Sequence, residues 1–341
     1  MERKTRLTKI GNIRALAIIL VVLGHSIILY SYDWNLYETI WKVPFLNCLK
    51  RAIDLIQMPL FFSLSGYLFV FTHKKYEIWQ LAKNKCRRLI VPYFGVGFLW
   101  MLPIRMGVGY SGYDKKGISD ILIKFLTVND VGHLWFLPTL FLVFLLSEIV
   151  LSIVEHIRAL KKVSGIIFFL VGGVLYLEGY HVAFGYSPLL SAFNYLMWFA
   201  LGYNLNLYKM QIAKIYKIDF MKWGLLLANL FLMWYVLSES SARVIVFLLV
   251  RALLVINVYG MISEKTCASI QKIEKNSFGI YLFHFPLTYI TFANIPNAFP
   301  AVVIFINFVI WGLVALELTE LIRKTNLRIL IGECDEFAST N

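Results

Sequence analysis

Acidic residues are scarce in this chain: 20 Asp and Glu stand against 33 Lys and Arg, and charged residues of both signs make up only 16% of its 341 positions. A soluble domain carries about a quarter of its residues charged, so the shortage argues against a water-facing globule. The other side of the balance is 59% hydrophobic residues and a mean hydropathy of +0.70, which identify an integral membrane protein. Cysteine is equally sparse. Cys48, Cys86, Cys267 and Cys334 are scattered, with neither a disulfide framework nor metal-ligand spacing, and no metal is expected. No small-residue cleavage site follows the first apolar run, so that run reads as a retained span. No fixed-period repeat, low-complexity tract or long polar linker divides the chain. One membrane domain over residues 1–341 is expected, with no soluble second domain, since about twenty residues follow the last span.

Hydropathy predicts about ten spans of bilayer length, over 13–30, 52–72, 89–104, 134–154, 163–178, 186–205, 221–238, 244–262, 278–293 and 301–320. The expected fold class is therefore all-α and polytopic. Lys and Arg concentrate in alternate connections, including "HKKYEIWQLAKNKCRR", "EHIRALKK" and "RKTNLR". That asymmetry places both termini in the cytoplasm. It also accounts for the net charge of +13 through the lipid bilayer, without nucleic acid as a partner. In the loop 105–133, "ISDILIKFL" spaces Ile118, Ile121, Leu122, Phe125 and Leu126 as one face of an amphipathic helix at the membrane surface. "QIAKIYKIDF" is expected to lie similarly on the opposite side.

The stretch "GNIRALAIILVVLGHSIILY", Gly11 to Tyr30, carries two residues that hydrocarbon disfavours, Arg14 and His25. Eleven residues at about 100° each bring them onto one helix face, with His25 roughly 16 Å deeper. Ionisable groups inside spans face a bundle interior or a water-filled path. A cation near the cytoplasmic surface and an imidazole well inside thus point the same way.

In its wording this stretch resembles the start of the membrane-bound acyltransferase family 3, in particular the fucose 4-O-acetylase-like branch that includes O-antigen and exopolysaccharide O-acetyltransferases. "QMPLFFSLSGYLF", "KCRRLIVPYF", "HLWFLPTLF" and "FGIYLFHFPL" match in the same order along the chain. The resemblance implies transfer of an acyl group, usually acetyl from cytoplasmic acetyl-CoA, to a hydroxyl of a cell-surface polysaccharide or its lipid-linked precursor, in the inner (cytoplasmic) membrane. It matches Arg14 and His25 to the family's functional arginine and histidine. Lys85 and Arg88 fall on its basic motif, with Lys where Arg is common, and Gln57 stands where many relatives have His.

The chemistry of the residues is compatible with that reading. A sugar hydroxyl is a weak nucleophile near neutrality, and a histidine within reach can act as its base. His25 is the candidate, oriented by Asp54 at similar depth, or by Glu148 or Glu317 instead. Lys85 and Arg88 lie one turn apart on a helix face and suit phosphates together with Arg14. Ser65 in "SLSG" and His284 in "FHFP" are candidate substrate contacts, with His133 behind them. Pro286 can free backbone carbonyls near a cavity. His73, His156 and His181 are expected to meet solvent. No GxSxG elbow surrounds the serines. The rival reading is a transporter or flippase for lipid-linked sugars, whose Arg and His would line a passage.

Overall fold

The computed structural model of the protein describes residues 2–73, 75–181, 188–238 and 244–333. Cys334 and the side chain of His181 lie outside the described residues. In chain order the helices are α1 (Glu2–Ser26), α2 (Pro44–Phe69), α3 (Ile78–Gly107), α4 (Ile118–Leu126), α5 (Gly132–His156), α6 (Ser164–His181) and α7 (Pro188–Leu207). There follow α8 (Lys209–Tyr216), α9 (Asp219–Ser238), α10 (Val244–Met261), α11 (Ala268–Asn294) and α12 (Pro300–Arg323). The described residues contain no strand, so the all-α polytopic class is observed.

Seven of these helices are individually long and apolar enough to cross a bilayer. The other three expected spans, 163–178, 186–205 and 278–293, coincide over most of their described residues with α6, α7 and α11. α7 and α11 carry polar residues such as Asn204, Asn206, Asn276, His284 and Thr288, several of them fully buried. A span enclosed by its neighbours does not face lipid and can hold such groups. α9 behaves oppositely, with Leu227, Phe231 and Trp234 exposed, as a lipid-facing helix requires.

α2 and α7 cross at van der Waals distance of their backbones. A Cβ on Gly66 would stand 1.9 Å from the Phe199 carbonyl oxygen, and one on Gly202 would stand 1.8 Å from that of Ser63. The small residues of "SLSG" thus admit a neighbouring helix.

α3 is irregular for a reason legible in its prolines. Pro92 and Pro103 lack the N–H that would close onto Arg88 and Leu99, and the preceding turns, Cys86–Ile90 and Gly97–Met101, widen to π geometry. The second wide turn seats α4, because a Cβ on Gly97 would meet the Phe125 ring at 2.3 Å. The expected apolar stripe of α4 therefore divides: Ile121 and Phe125 are buried, whereas Ile118, Leu122 and Leu126 remain exposed.

A cap at the end of the bundle away from the basic loops forms around Arg105, which is fully buried. Arg105 Nη1 donates to the Asp130 carbonyl at 2.5 Å and to Tyr113 Oη at 3.2 Å, and Nη2 donates to Tyr289 Oη at 3.1 Å. Burial pushes the Tyr110 and Tyr113 phenols up from their ordinary range, keeping both as neutral hydroxyls. Arg105→Leu strands these acceptors and is expected to destabilise the protein by about 3 kcal/mol, seen as a lower melting temperature of the purified protein in detergent.

Candidate functional site

α1 and α11 are joined by two polar pairs. Arg14 Nη1 donates to Glu274 Oε1 in a short ion pair. Farther along both helices, His25 Nδ1 lies 2.8 Å from His284 Nε2. The pairs are separated by similar lengths on the two helices, which therefore run parallel here.

The protons in the deeper pair follow from its neighbours. His284 Nδ1 lies 2.7 Å from the Ile280 carbonyl oxygen, which can only accept, so Nδ1 carries the hydrogen. Nε2 of the neutral ring then accepts, and His25 Nδ1–H is the donor. His25 Nε2 is left as a lone pair, the form a general base requires.

His133, at the start of α5, completes a three-histidine cluster. Pro286 has no N–H, which leaves the Leu282 carbonyl without its helical donor. His133 Nε2 donates to that carbonyl at 3.2 Å. Its Nδ1 keeps a lone pair, buried without a partner among the described residues. The His133 and His25 ring centroids are 6.3 Å apart. Phe285 closes one side of His25 at 4.1 Å, and Tyr281 donates its hydroxyl hydrogen to the His133 carbonyl.

The expectation that a carboxylate orients His25 is corrected by this geometry, since the group on Nδ1 is an imidazole. Asp54 is engaged on its own helix: Lys50 Nζ donates to its two oxygens at 2.6 and 2.5 Å, and Gln57 Nε2 donates at 2.5 Å. A lysine one turn away satisfies that charge locally. Glu148 pairs with His73 at 3.0 Å and Glu317 with Lys272 at 2.8 Å. His73, expected in solvent, is instead buried beside Glu148 and Glu155.

A cavity of about 710 Å³ opens at the basic end of the bundle. Arg14, Lys85, Arg88 and Ser65 all line it. Lys85 Nζ sits 3.5 Å above the centroid of the Phe144 ring, a cation–π contact that holds the charge at the wall. Leu64, Leu140, Phe136 and Tyr281 line the apolar part. The Tyr281 ring is 5.1 Å from that of His133, so the cavity wall adjoins the histidine cluster. Basic groups thus share a cavity whose apolar wall backs onto a deprotonated imidazole nitrogen.

Arg323, Arg328 and Glu333 also line this cavity, and no local sequence pattern marks them as site residues. The two arginines lie in the string "RKTNLR", whose charge alone reads as a topology signal.

Comparison with known families matches residues 7–317 to the family described as an acyltransferase domain. The chain belongs to that acyltransferase family. With its apolar helices, this makes it a multi-pass membrane protein. Among curated proteins, it is 28% identical over 137 residues to "Nodulation protein NolL" of Sinorhizobium fredii (strain NBRC 101917 / NGR234), covering 40% of this chain and 34% of the relative. The protein of the same name from Mesorhizobium japonicum (strain LMG 29417 / CECT 9101 / MAFF 303099) is 24% identical over a stretch of the same length and the same coverage. The chain thus matches about a third of the length of these relatives. No solved structure matches. The match to the family spans both partners of the histidine pair and Arg14, Lys85 and Arg88 of the cavity, whereas Arg323, Arg328 and Glu333 lie beyond it.

Proposed function

We propose that this acyltransferase-family chain is a membrane O-acyltransferase. In this reading it moves acetyl from cytoplasmic acetyl-CoA to a sugar hydroxyl of a cell-surface polysaccharide or its lipid-linked precursor. The observation that carries the reading is the placement of Arg14, Lys85 and Arg88 on one cavity whose wall reaches the His25–His284–His133 cluster. Phosphates of the donor stay among the cations at the membrane surface, where their charge remains hydrated, while the uncharged thioester arm extends along the apolar wall. Ser65, on that wall, is a further contact for the arm.

His25 Nε2 takes the acceptor hydroxyl proton as the oxygen attacks the thioester carbonyl carbon. The carbon–sulfur bond breaks, the thiolate leaves, and the proton passes from His25 to that sulfur. His284 accepts the Nδ1–H throughout, holding His25 in the tautomer that keeps Nε2 available. The unpartnered Nδ1 of His133 is a second acceptor for a substrate hydroxyl.

The test is transfer of labelled acetyl from acetyl-CoA to glycan by membranes carrying the protein, with mass spectrometry of the surface polysaccharide. Label on the glycan supports the reading; polysaccharide reduced in amount with its acetylation unchanged overturns it in favour of transport. Lys85→Gln and Arg88→Gln are each expected to raise KM for acetyl-CoA about tenfold, by loss of a charge-assisted phosphate contact, while kcat stays near the parent value. A fall in kcat at unchanged KM would contradict their assignment to donor binding.

A further inference from the structure

The mouth of the cavity holds more positive charge than its acids balance. Among the described residues, five cations line it, Arg14, Lys85, Arg88, Arg323 and Arg328, against the single carboxylate of Glu333. Arg14 is paired with Glu274, outside this lining. Glu333 is committed to Arg323: Arg323 Nε stands 2.8 and 2.9 Å from its two carboxylate oxygens, and Nη2 stands 2.8 Å from one of them. A guanidinium edge facing two oxygens of one anion is also the arrangement it offers a phosphate.

Both halves of this pair are held in place. Arg323 Nη1 donates to Asn276 Oδ1 at 2.6 Å and Nη2 to the Lys275 carbonyl at 3.2 Å, fixing the guanidinium against α11. Glu333 follows Gly332, which adopts φ +69°, and a Cβ on Gly332 would stand 2.9 Å from the Arg88 carbonyl oxygen. That carbonyl belongs to the π turn opened by Pro92. The segment after α12 is therefore seated on the basic turn of α3, and it delivers a carboxylate to an arginine at the mouth. The pair is only partly shielded, with side-chain exposures of 19% for Arg323 and 40% for Glu333. A ligand anion can reach it from solvent.

We propose that Arg323 is the seat for a phosphate of the nucleotide end of the acyl donor, and that Glu333 is an intramolecular carboxylate competing for the same seat. The proposal rests on the acyl-CoA reading above. The seat lies at the basic mouth, where a polyanion remains hydrated while its uncharged arm points toward the histidines. Exchange breaks the Arg323–Glu333 pair and forms Arg323–phosphate, so Glu333 lowers affinity for every donor and selects for those with enough negative charge to displace it.

The experiment is isothermal titration of CoA and of pantetheine into the full chain in detergent or nanodiscs, for the parent protein, E333Q and R323Q. E333Q keeps the shape of the side chain and removes its charge. It is expected to bind CoA about fivefold more tightly, with pantetheine unchanged, as befits a partly exposed charge. R323Q is expected to bind CoA about tenfold more weakly, again with pantetheine unchanged. Because R323Q also loses the Asn276 contact, E333Q is the deciding variant. CoA affinity that is unchanged or weaker in E333Q overturns the competition, and unchanged affinity in R323Q overturns the seat. A parent protein that binds no CoA overturns the donor reading itself, a result distinguishable from both.

Discussion

Replacing His25 with Ala is expected to lower acetyl transfer about 1,000-fold, within the range general-base catalysis contributes, while CoA binding persists. The separation follows from position. His25 lies in the histidine cluster and does not itself line the basic cavity, so in the proposed mechanism its loss removes the base and leaves the basic mouth intact. His284→Ala is expected to have a smaller effect, about 10- to 100-fold, because His25 remains but nothing holds its tautomer. Single-turnover transfer of labelled acetyl, measured beside CoA titration, checks both. Parent-level turnover in His25→Ala would remove the histidine from the mechanism.

The second large effect concerns the crossing of α2 and α7. Gly202→Val brings a branched side chain into a gap where even a Cβ would stand 1.8 Å from a backbone oxygen, and Gly66→Ala makes the reciprocal clash at 1.9 Å. Backbone atoms cannot swing aside as a side-chain end does, so the helices must separate. The cost is expected at or above the usual 1–3 kcal/mol of overpacking. The outcome should be loss of monodisperse protein on size-exclusion chromatography for Gly202→Val and a clearly lowered melting temperature for Gly66→Ala. Ser65, beside Gly66, lines the cavity, so any folded remainder should also bind CoA poorly. Parent-like stability in both variants would refute the close crossing.

Features carried within one helix were the most legible in the sequence. The shared face of Arg14 and His25 follows from helical periodicity, and the turn bearing Lys85 and Arg88 needs only local spacing. Pro286 likewise announces a freed carbonyl, although not the histidine that fills it. What the sequence hides is which helix meets which. His284 lies 259 positions from His25, and no local pattern distinguishes an imidazole partner from Asp54, which looks equally well placed until its own Lys50 is seen to occupy it. Arg323 and Glu333 are hidden for the same reason: Arg323 is set by its contacts with Asn276 and Lys275 on α11, and Glu333 follows Gly332, which docks on a turn more than two hundred residues earlier. Hydropathy finds the span within α11 but not that its polar residues, such as Asn276, His284 and Thr288, face inward.

Among the described residues the partner on His25 Nδ1 is an imidazole and not a carboxylate, which changes what the bundle interior must tolerate. A resting anion at that depth would carry a desolvation penalty of several kcal/mol even after relaxation, and would require a permanent counter-ion. Two neutral imidazoles linked by one hydrogen bond impose neither demand, which lets the Phe285 ring approach to 4.1 Å. In the proposed transfer, ionic character arises only during turnover and vanishes with the departing thiol. Between turnovers the pair presents no net charge to the membrane field, and an idle enzyme holds no loaded proton carrier in its core.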